Sequence, residues 1–361
     1  MNSQLCLFDH HTSLATPATD QPTSVELFAG AGGLALGFEK AGFKHLLLNE
    51  VDKQACATLR QNRPQWQVLE QDIQQVDFSA YRSQVDIVSG GFPCQAFSYA
   101  GHGGGFNDIR GTMFFQFARA VEQMQPKVLL GENVRGLLNH DHGRTLSTIE
   151  QVLTDLGYQL VPVRVLAAKY HRVPQKRERL FLIGLRGDLS GQFVWPEPTA
   201  AEMTLRDALC AGELYDSDVP HSIGQQYPDK KKAVLDLVPA GGYWRDLPDE
   251  IQRAYMKKSY FLGGGKTGMA RRLAWDAPSL TLTCSPSQNQ TERCHPDETR
   301  PLTVREYARI QTFPDDWQFM GSMASQYKQI GNAVPVNLAY AVAQQIKALL
   351  AQVTVKPLCG A

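Results

Sequence analysis

The stretch Val25-Glu26-Leu27-Phe28-Ala29-Gly30-Ala31-Gly32-Gly33-Leu34 decides the fold. A strand-like run, Val25–Phe28, enters a glycine-rich turn, and a helical pattern, Gly33–Ala41, leaves it. Glycine lets the backbone turn sharply and lets a ligand come close to it. The helix that follows aims its free N–H groups at that ligand. A second run, His45–Asn49, ends at Glu50. An acid about 20 residues beyond the glycines commonly bonds ribose hydroxyls. Asp72 follows a third short strand, where it can meet an adenine amino group. Strand, glycines, helix, strand and acid in this order favour an adenosine-containing cofactor over a ligand-free turn. Gly30-x-Gly32-x-x-Ala35 also fits a dinucleotide fingerprint, so the pattern does not separate NAD from S-adenosylmethionine.

Outward from this loop, apolar runs recur at Val85–Ser89, Lys127–Gly131, Val161–Ala167 and Leu180–Leu185. Helical patterns lie between runs at Lys53–Gln61, Met113–Met124 and Thr145–Leu156. Such alternation predicts an α/β chain with a parallel, doubly wound sheet. Residues 1–22 are polar and aperiodic, a flexible arm. Beyond Gly187 periodicity weakens, then returns in Thr303–Thr312 and Val336–Ala351. The expected plan is an arm over 1–22, an α/β domain over 23–186, a smaller irregular domain over 187–325, and a segment over 326–361 that returns to the first domain.

Composition narrows the function classes. A chain of 361 residues, 43% hydrophobic and 20% charged, can bury a sizeable core, which excludes wholesale disorder. No apolar run approaches the ~18 residues of a membrane-spanning helix. The N-terminus lacks a basic and apolar export signal, and seven irregularly spaced cysteines read as free thiols in a reducing cytosol. No metal is called for. The 36 basic and 36 acidic residues cancel, but not locally. Residues 187–229 hold eight acids and one base, whereas 230–272 hold ten bases and four acids. Tyr243, Trp244, Tyr255, Tyr260 and Phe261 interleave with those bases, a mixture that suits a nucleic-acid groove better than a solvated face.

Chemistry is expected where the fourth and fifth strands end. The fourth runs into Gly90-Gly91-Phe92-Pro93-Cys94-Gln95, and the ends of parallel strands are where such sheets bind ligands. A thiolate there would be a strong nucleophile. Gly101-His102-Gly103-Gly104-Gly105 reads as a lid over it. The fifth strand ends in Glu132-Asn133-Val134, so Glu132 and Cys94 should share a crevice. In Gln175-Lys176-Arg177-Glu178-Arg179 an extended chain points Arg177 and Arg179 the same way, toward a phosphate or a base carbonyl.

Together these blocks resemble the C5-cytosine DNA methyltransferases. The matching stretches are ELFAGAGGLALGFEKAGF, GGFPCQAFSYAG, RGTMFF, GENVRGLL, VPQKRERLFLIG, RRLAWDAPSLTLT, RPLTVREYARIQTFPDDW and QIGNAVPVNLAYAVA. They cover Val25–Arg186 and Arg271–Ala343 in the family's order. The resemblance implies a Rossmann-like methyltransferase sheet, with the irregular region as target-recognition domain. It implies Cys94 as nucleophile, with Glu132, Arg177 and Arg179 around the base. It implies S-adenosyl-L-methionine as cofactor, left as S-adenosyl-L-homocysteine. The cofactor would lie near Phe28, Ala29, Gly30, Gly32, Gly33, Leu34, Glu50, Val51, Asp72, Ile73, Pro93, Met113, Asn332 and Val334. Duplex DNA would meet Gln95, Ser98, Lys230, Lys231, Lys232, Arg271, Arg272 and Thr281, with the target cytosine flipped out of the stack.

The setting so implied is a bacterial cytoplasmic monomer, held at the nucleoid through DNA. A cognate restriction endonuclease would act on the same site without touching it. The same chemistry permits tRNA as substrate. A DNA-binding protein without catalysis, or an NAD oxidoreductase, would have no use for the combination of Cys94, Glu132 and the glycine loop.

Overall fold

In the computed structural model the described residues are 21–93 and 113–356. β1 (Thr23–Leu27), α1 (Gly33–Lys40), β2 (Lys44–Glu50), α2 (Lys53–Asn62), β3 (Val68–Glu70) and β4 (Ile87–Gly90) come first. They are followed by α3 (Met113–Met124), β5 (Val128–Val134), α4 (Arg144–Asp155), β6 (Tyr158–Ala167), β7 (Gln175–Lys176) and β8 (Glu178–Arg186). Beyond Arg186 regular structure is sparse: β9 (Leu189–Ser190), α5 (Leu205–Leu209), α6 (Asp229–Leu235), α7 (Asp249–Met256) and β10 (Ser279–Leu280). The chain ends in α8 (Val304–Ile310), α9 (Met323–Asn332), α10 (Val336–Gln352) and β11 (Thr354–Val355). No helix among the described residues is long and apolar enough to cross a membrane.

Seven strands form one sheet in the order β3-β2-β1-β4-β5-β8-β6. β3 to β5 pair in parallel, whereas β8 runs antiparallel to both β5 and β6. The expectation of a wholly parallel sheet is corrected at this edge. A parallel return needs a crossover of a dozen or more residues, usually a helix, and no α-helix separates β6 from β8.

Side chains sort between the two faces with the strand period of two. Leu129 of β5 and Leu180 and Leu182 of β8 pack with Phe117, Val121 and Ile149 of α3 and α4. Their neighbours Val128, Leu130, Phe181 and Ile183 pack on the other face with Phe38 of α1 and Leu338, Val342 and Ile346 of α10. Cover on both faces is why β8 reads as an unbroken apolar run. α1 and α10 touch closely at Gly37, where a Cβ would stand 2.4 Å from Ala339 Cβ.

The irregular region has its own small core, built from Tyr227, Leu235, Val238, Trp244, Leu247, Met256, Ala270 and Cys294. Trp244 is 5% exposed, so this aromatic, expected in an open groove, is packing material instead. Thr303 and Glu306 make a reciprocal capping box that starts α8. The apolar side of α8 then needs cover: Val304, Tyr307 and Ile310 join Ala31, Leu48, Leu59 and Trp317 in one cluster. Leu205, Leu209, Leu273 and Leu282 of the irregular region join the same cluster, so parts of that region pack on the first domain as well.

Strand order reverses between β1 and β4, because the chain leaves β1 toward β2 on one side and reaches β4 on the other. Open α/β sheets form a crevice at such a point, beyond the carboxyl ends of the strands.

Candidate active site

A cavity of about 830 Å³ fills that crevice. The turn after β1 contributes Phe28, Ala29, Gly30, Gly33 and Leu34 to its wall. Glu50 and Val51 come from the end of β2, Asp72 and Ile73 from beyond β3, and Pro93 from beyond β4. Met113 opens α3, and Asn332 and Val334 arrive from the junction of α9 and α10. Gly32, also expected near a cofactor, does not line the cavity. Its missing side chain faces the core, where a Cβ would stand 2.7 Å from the Leu59 side chain and 3.2 Å from Trp317.

The loop is held by the acid that follows it. Glu50 Oε2 accepts the Gly30 N–H at 2.8 Å, and Oε1 accepts those of Val51 and Asp52 at 2.8 Å each. Gly30 has φ +54° and open space where its Cβ would be, so the loop presents bare backbone to the cavity. Glu26 also lines the cavity, a residue that sequence reasoning passed over as part of the strand. Its Oε2 is buried without a hydrogen-bond partner. Burial pushes its carboxyl well above the usual range; an N–H from Ala35 opposes this and Glu50 adds to it. Bare backbone, an orphaned carboxyl oxygen and further acids at Asp52 and Asp72 fit a cationic ligand that carries an adenosine.

Glu132 and the two arginines also line the cavity, and there they converge. Arg179 Nε lies 2.8 Å from Glu132 Oε1. Arg177 is 1% exposed, and its guanidinium donates to the carbonyls of Leu282 at 3.1 Å and Gly331 at 2.8 Å. Its Nε is buried without a partner. Burial, then Arg179, press the Arg177 pKa down against the pull of Glu132, but a guanidinium keeps its charge. Burial likewise pushes the Glu132 carboxyl up, and Arg179 and Arg177 pull it back in part. A Cβ on Gly91 would stand 2.7 Å from Glu132 Oε2, so glycine is what lets the carboxylate lie against the chain beyond β4. Asn133 donates to the Phe92 carbonyl at 2.9 Å and ties β5 to the Phe92-Pro93 turn. That tie was legible only as the residue beside Glu132.

Cys94, Gln95 and Ser98, with the glycine-rich stretch 101–105, lie outside the described residues, as do residues 1–20 of the arm. The residues expected on DNA divide. Lys230 is exposed. Lys231 is corrected: its Nζ pairs with buried Glu292 and donates to the Ser287 carbonyl at 2.7 Å. Lys232 pairs with Asp236 one helical turn on, at 3.0 Å. Arg272 is corrected too. It is 4% exposed, and it donates to the carbonyls of Leu235, Val238, His295 and Pro296, pinning the small core together. Arg271 lies over the Tyr243 ring, 4.6 Å from its centroid. Thr281 donates to the Lys176 carbonyl at 2.7 Å, beside the pairing of β10 with β7.

Comparison with known proteins shows the family. The model of the family described as C-5 cytosine-specific DNA methylase matches residues 23–348. The type II methyltransferase M.Eco47II of Escherichia coli is 65% identical over 330 residues, which are 91% of this chain and 79% of the relative. M.PspPI of Psychrobacter sp. (strain TA137) is 62% identical over 328 residues, 90% of this chain and 79% of that one. Among solved structures, a Spodoptera frugiperda DNMT2 mutant superposes with TM-score 0.65 at 16% identity, over 90% of this chain and 99% of that chain. That likeness concerns the fold alone.

Proposed function

The chain belongs to the C-5 cytosine-specific DNA methylases, and from that premise we propose that Cys94 is the nucleophile, with Glu132, Arg177 and Arg179 holding the base. What supports this reading above all is the convergence of Glu132 and the arginines on a cavity wall that also holds Gly91 and Pro93, the residues that precede Cys94 in sequence.

Methyl transfer to cytosine must overcome the low nucleophilicity of C5. The Cys94 thiolate adds to C6, and electron density moves to C5. Glu132 meets N3 and the N4 amino group. A carboxyl that burial inclines to keep its proton can donate to N3 as charge builds there. Arg177, fixed by two carbonyls, and Arg179, fixed by Glu132, present cationic donors to O2. The cofactor of this reaction class supplies an electrophilic methyl group; for this chain it is S-adenosyl-L-methionine, leaving S-adenosyl-L-homocysteine. Loss of the C5 proton and then of the thiolate restores the ring and frees Cys94. Stacked bases hide C6, so the cytosine is extruded from the duplex before addition.

The same reading extends to the setting. The chain acts as a monomer on duplex DNA in the bacterial cytoplasm, at the nucleoid, and protects the site of a restriction endonuclease that it does not touch. Residues 23–186, joined by the returning segment 326–361, bind cofactor and base, and the irregular domain over 187–325 reads DNA. The test is to sequence 5-methylcytosine in DNA from cells expressing either the chain or its Cys94→Ser variant. Methylation of one short sequence by the first and none by the second is expected. Equal methylation by the variant would remove Cys94 as nucleophile.

A further inference from the structure

The stretch between α7 and Lys266 presents large apolar side chains to solvent. Phe261 is 78% exposed and Leu262 is 64% exposed. Burying such side chains is worth enough that a soluble chain seldom leaves two adjacent ones bare at a fixed tip without a partner. The tip is fixed. Lys266 folds back and its Nζ donates to the carbonyls of Ser259 and Leu262. Phe261 meets Tyr260 edge-on at 5.2 Å between centroids, and Tyr260 meets buried Trp244 at 6.0 Å. An aromatic spine thus runs from the small core to the tip. Gly263 and Gly264 follow with open space where a Cβ would stand, and among the described residues nothing covers the two side chains.

Charge says what does. Lys257 and Lys258, at the foot of the tip, are both exposed. They belong to the half of the irregular region that holds ten bases and four acids. An apolar point on a cationic base complements a nucleic acid, whose stacked bases lie between rows of phosphate. Phe and Leu are among the side chains that proteins wedge between base steps. We propose that Phe261 and Leu262 form a wedge that enters the duplex and stacks on a base step of the recognised sequence, while Lys257 and Lys258 hold the flanking phosphates. This rests on the reading of the irregular region as the DNA reader. The wedge gives that region a way to select sequence through how easily a step opens, in addition to contacts with base edges.

The test is binding of the full chain to a duplex carrying its methylated sequence, across a salt series. Phe261→Ala with Leu262→Ala is expected to weaken binding about tenfold, the loss that one base–aromatic stack carries, with the salt slope unchanged. Lys257→Gln with Lys258→Gln is expected to lower the salt slope by nearly two. Phe261→Trp should restore affinity, and its added fluorescence should be quenched by the duplex. Wild-type affinity in the double alanine variant would overturn the wedge and leave the tip to some other partner, while the DNA reading stands. Absence of salt-dependent duplex binding by the wild-type chain would overturn both.

Discussion

At single residues the chemistry is set by what burial does to polar groups. His45 is an example away from the cavity. Its Nδ1 lies 2.8 Å from Ser24 Oγ, its Nε2 lies 3.0 Å from the Ala35 carbonyl, and its ring packs edge-on against Trp66. Burial lowers its pKa from 6.5 to about 4, with the Ala35 carbonyl acting the other way. The folded chain therefore keeps His45 neutral where the unfolded chain takes up a proton. Its contribution is complete above the unfolded pKa and is lost as pH falls toward the folded one, by at most about 3 kcal/mol. Urea titrations at stepped pH should show unfolding free energy falling over that interval, and His45→Gln should flatten the fall. An unchanged slope in the variant would assign the loss elsewhere. The place of Glu132 on the cavity wall was legible because it closes the fifth strand, and strand ends announce themselves in sequence. Arg272 was not, because four carbonyls from distant loops bury it and no local pattern records them.

Between elements, close approach decides what local propensity cannot. Gly37 sits inside α1, where alanine would favour the helix by roughly 1 kcal/mol. Yet a Cβ there would stand 2.6 Å from the Tyr340 backbone nitrogen and 2.4 Å from Ala339 Cβ. Two packed helices must then part, and overpacking of this kind costs about 1–3 kcal/mol. Gly37→Ala should lower the urea midpoint despite its better propensity, while Gly212→Ala, at an open position outside the left-handed region, should do much less. A stabilised Gly37→Ala would show that α10 is not seated against α1. The strands themselves were readable from apolar runs and helical spacing. The direction of β8 was not, since it depends on how the connection from β6 is built rather than on any side chain in β8.

For the whole molecule, a neutral sum of charge conceals a division of labour. Acids gather around the cavity at the crevice, and Arg177 and Arg179 stand on its wall beside Glu132. The basic half of the irregular region spends several cations on its own architecture, Lys231 on Glu292 and Arg272 on backbone carbonyls, so fewer reach DNA than the count of bases implies. What would join the parts is the covalent step proposed at Cys94, on which the roles proposed for Glu132, Arg177 and Arg179 depend. It is tested most directly by incubating the chain with S-adenosyl-L-methionine and a duplex whose target cytosine carries fluorine at C5. Fluorine cannot leave as a proton does, so the adduct should persist through denaturation, and peptide mapping should find the methylated base on Cys94, with none formed by Cys94→Ser. A denaturation-sensitive complex, or an adduct on any other residue, would contradict the account.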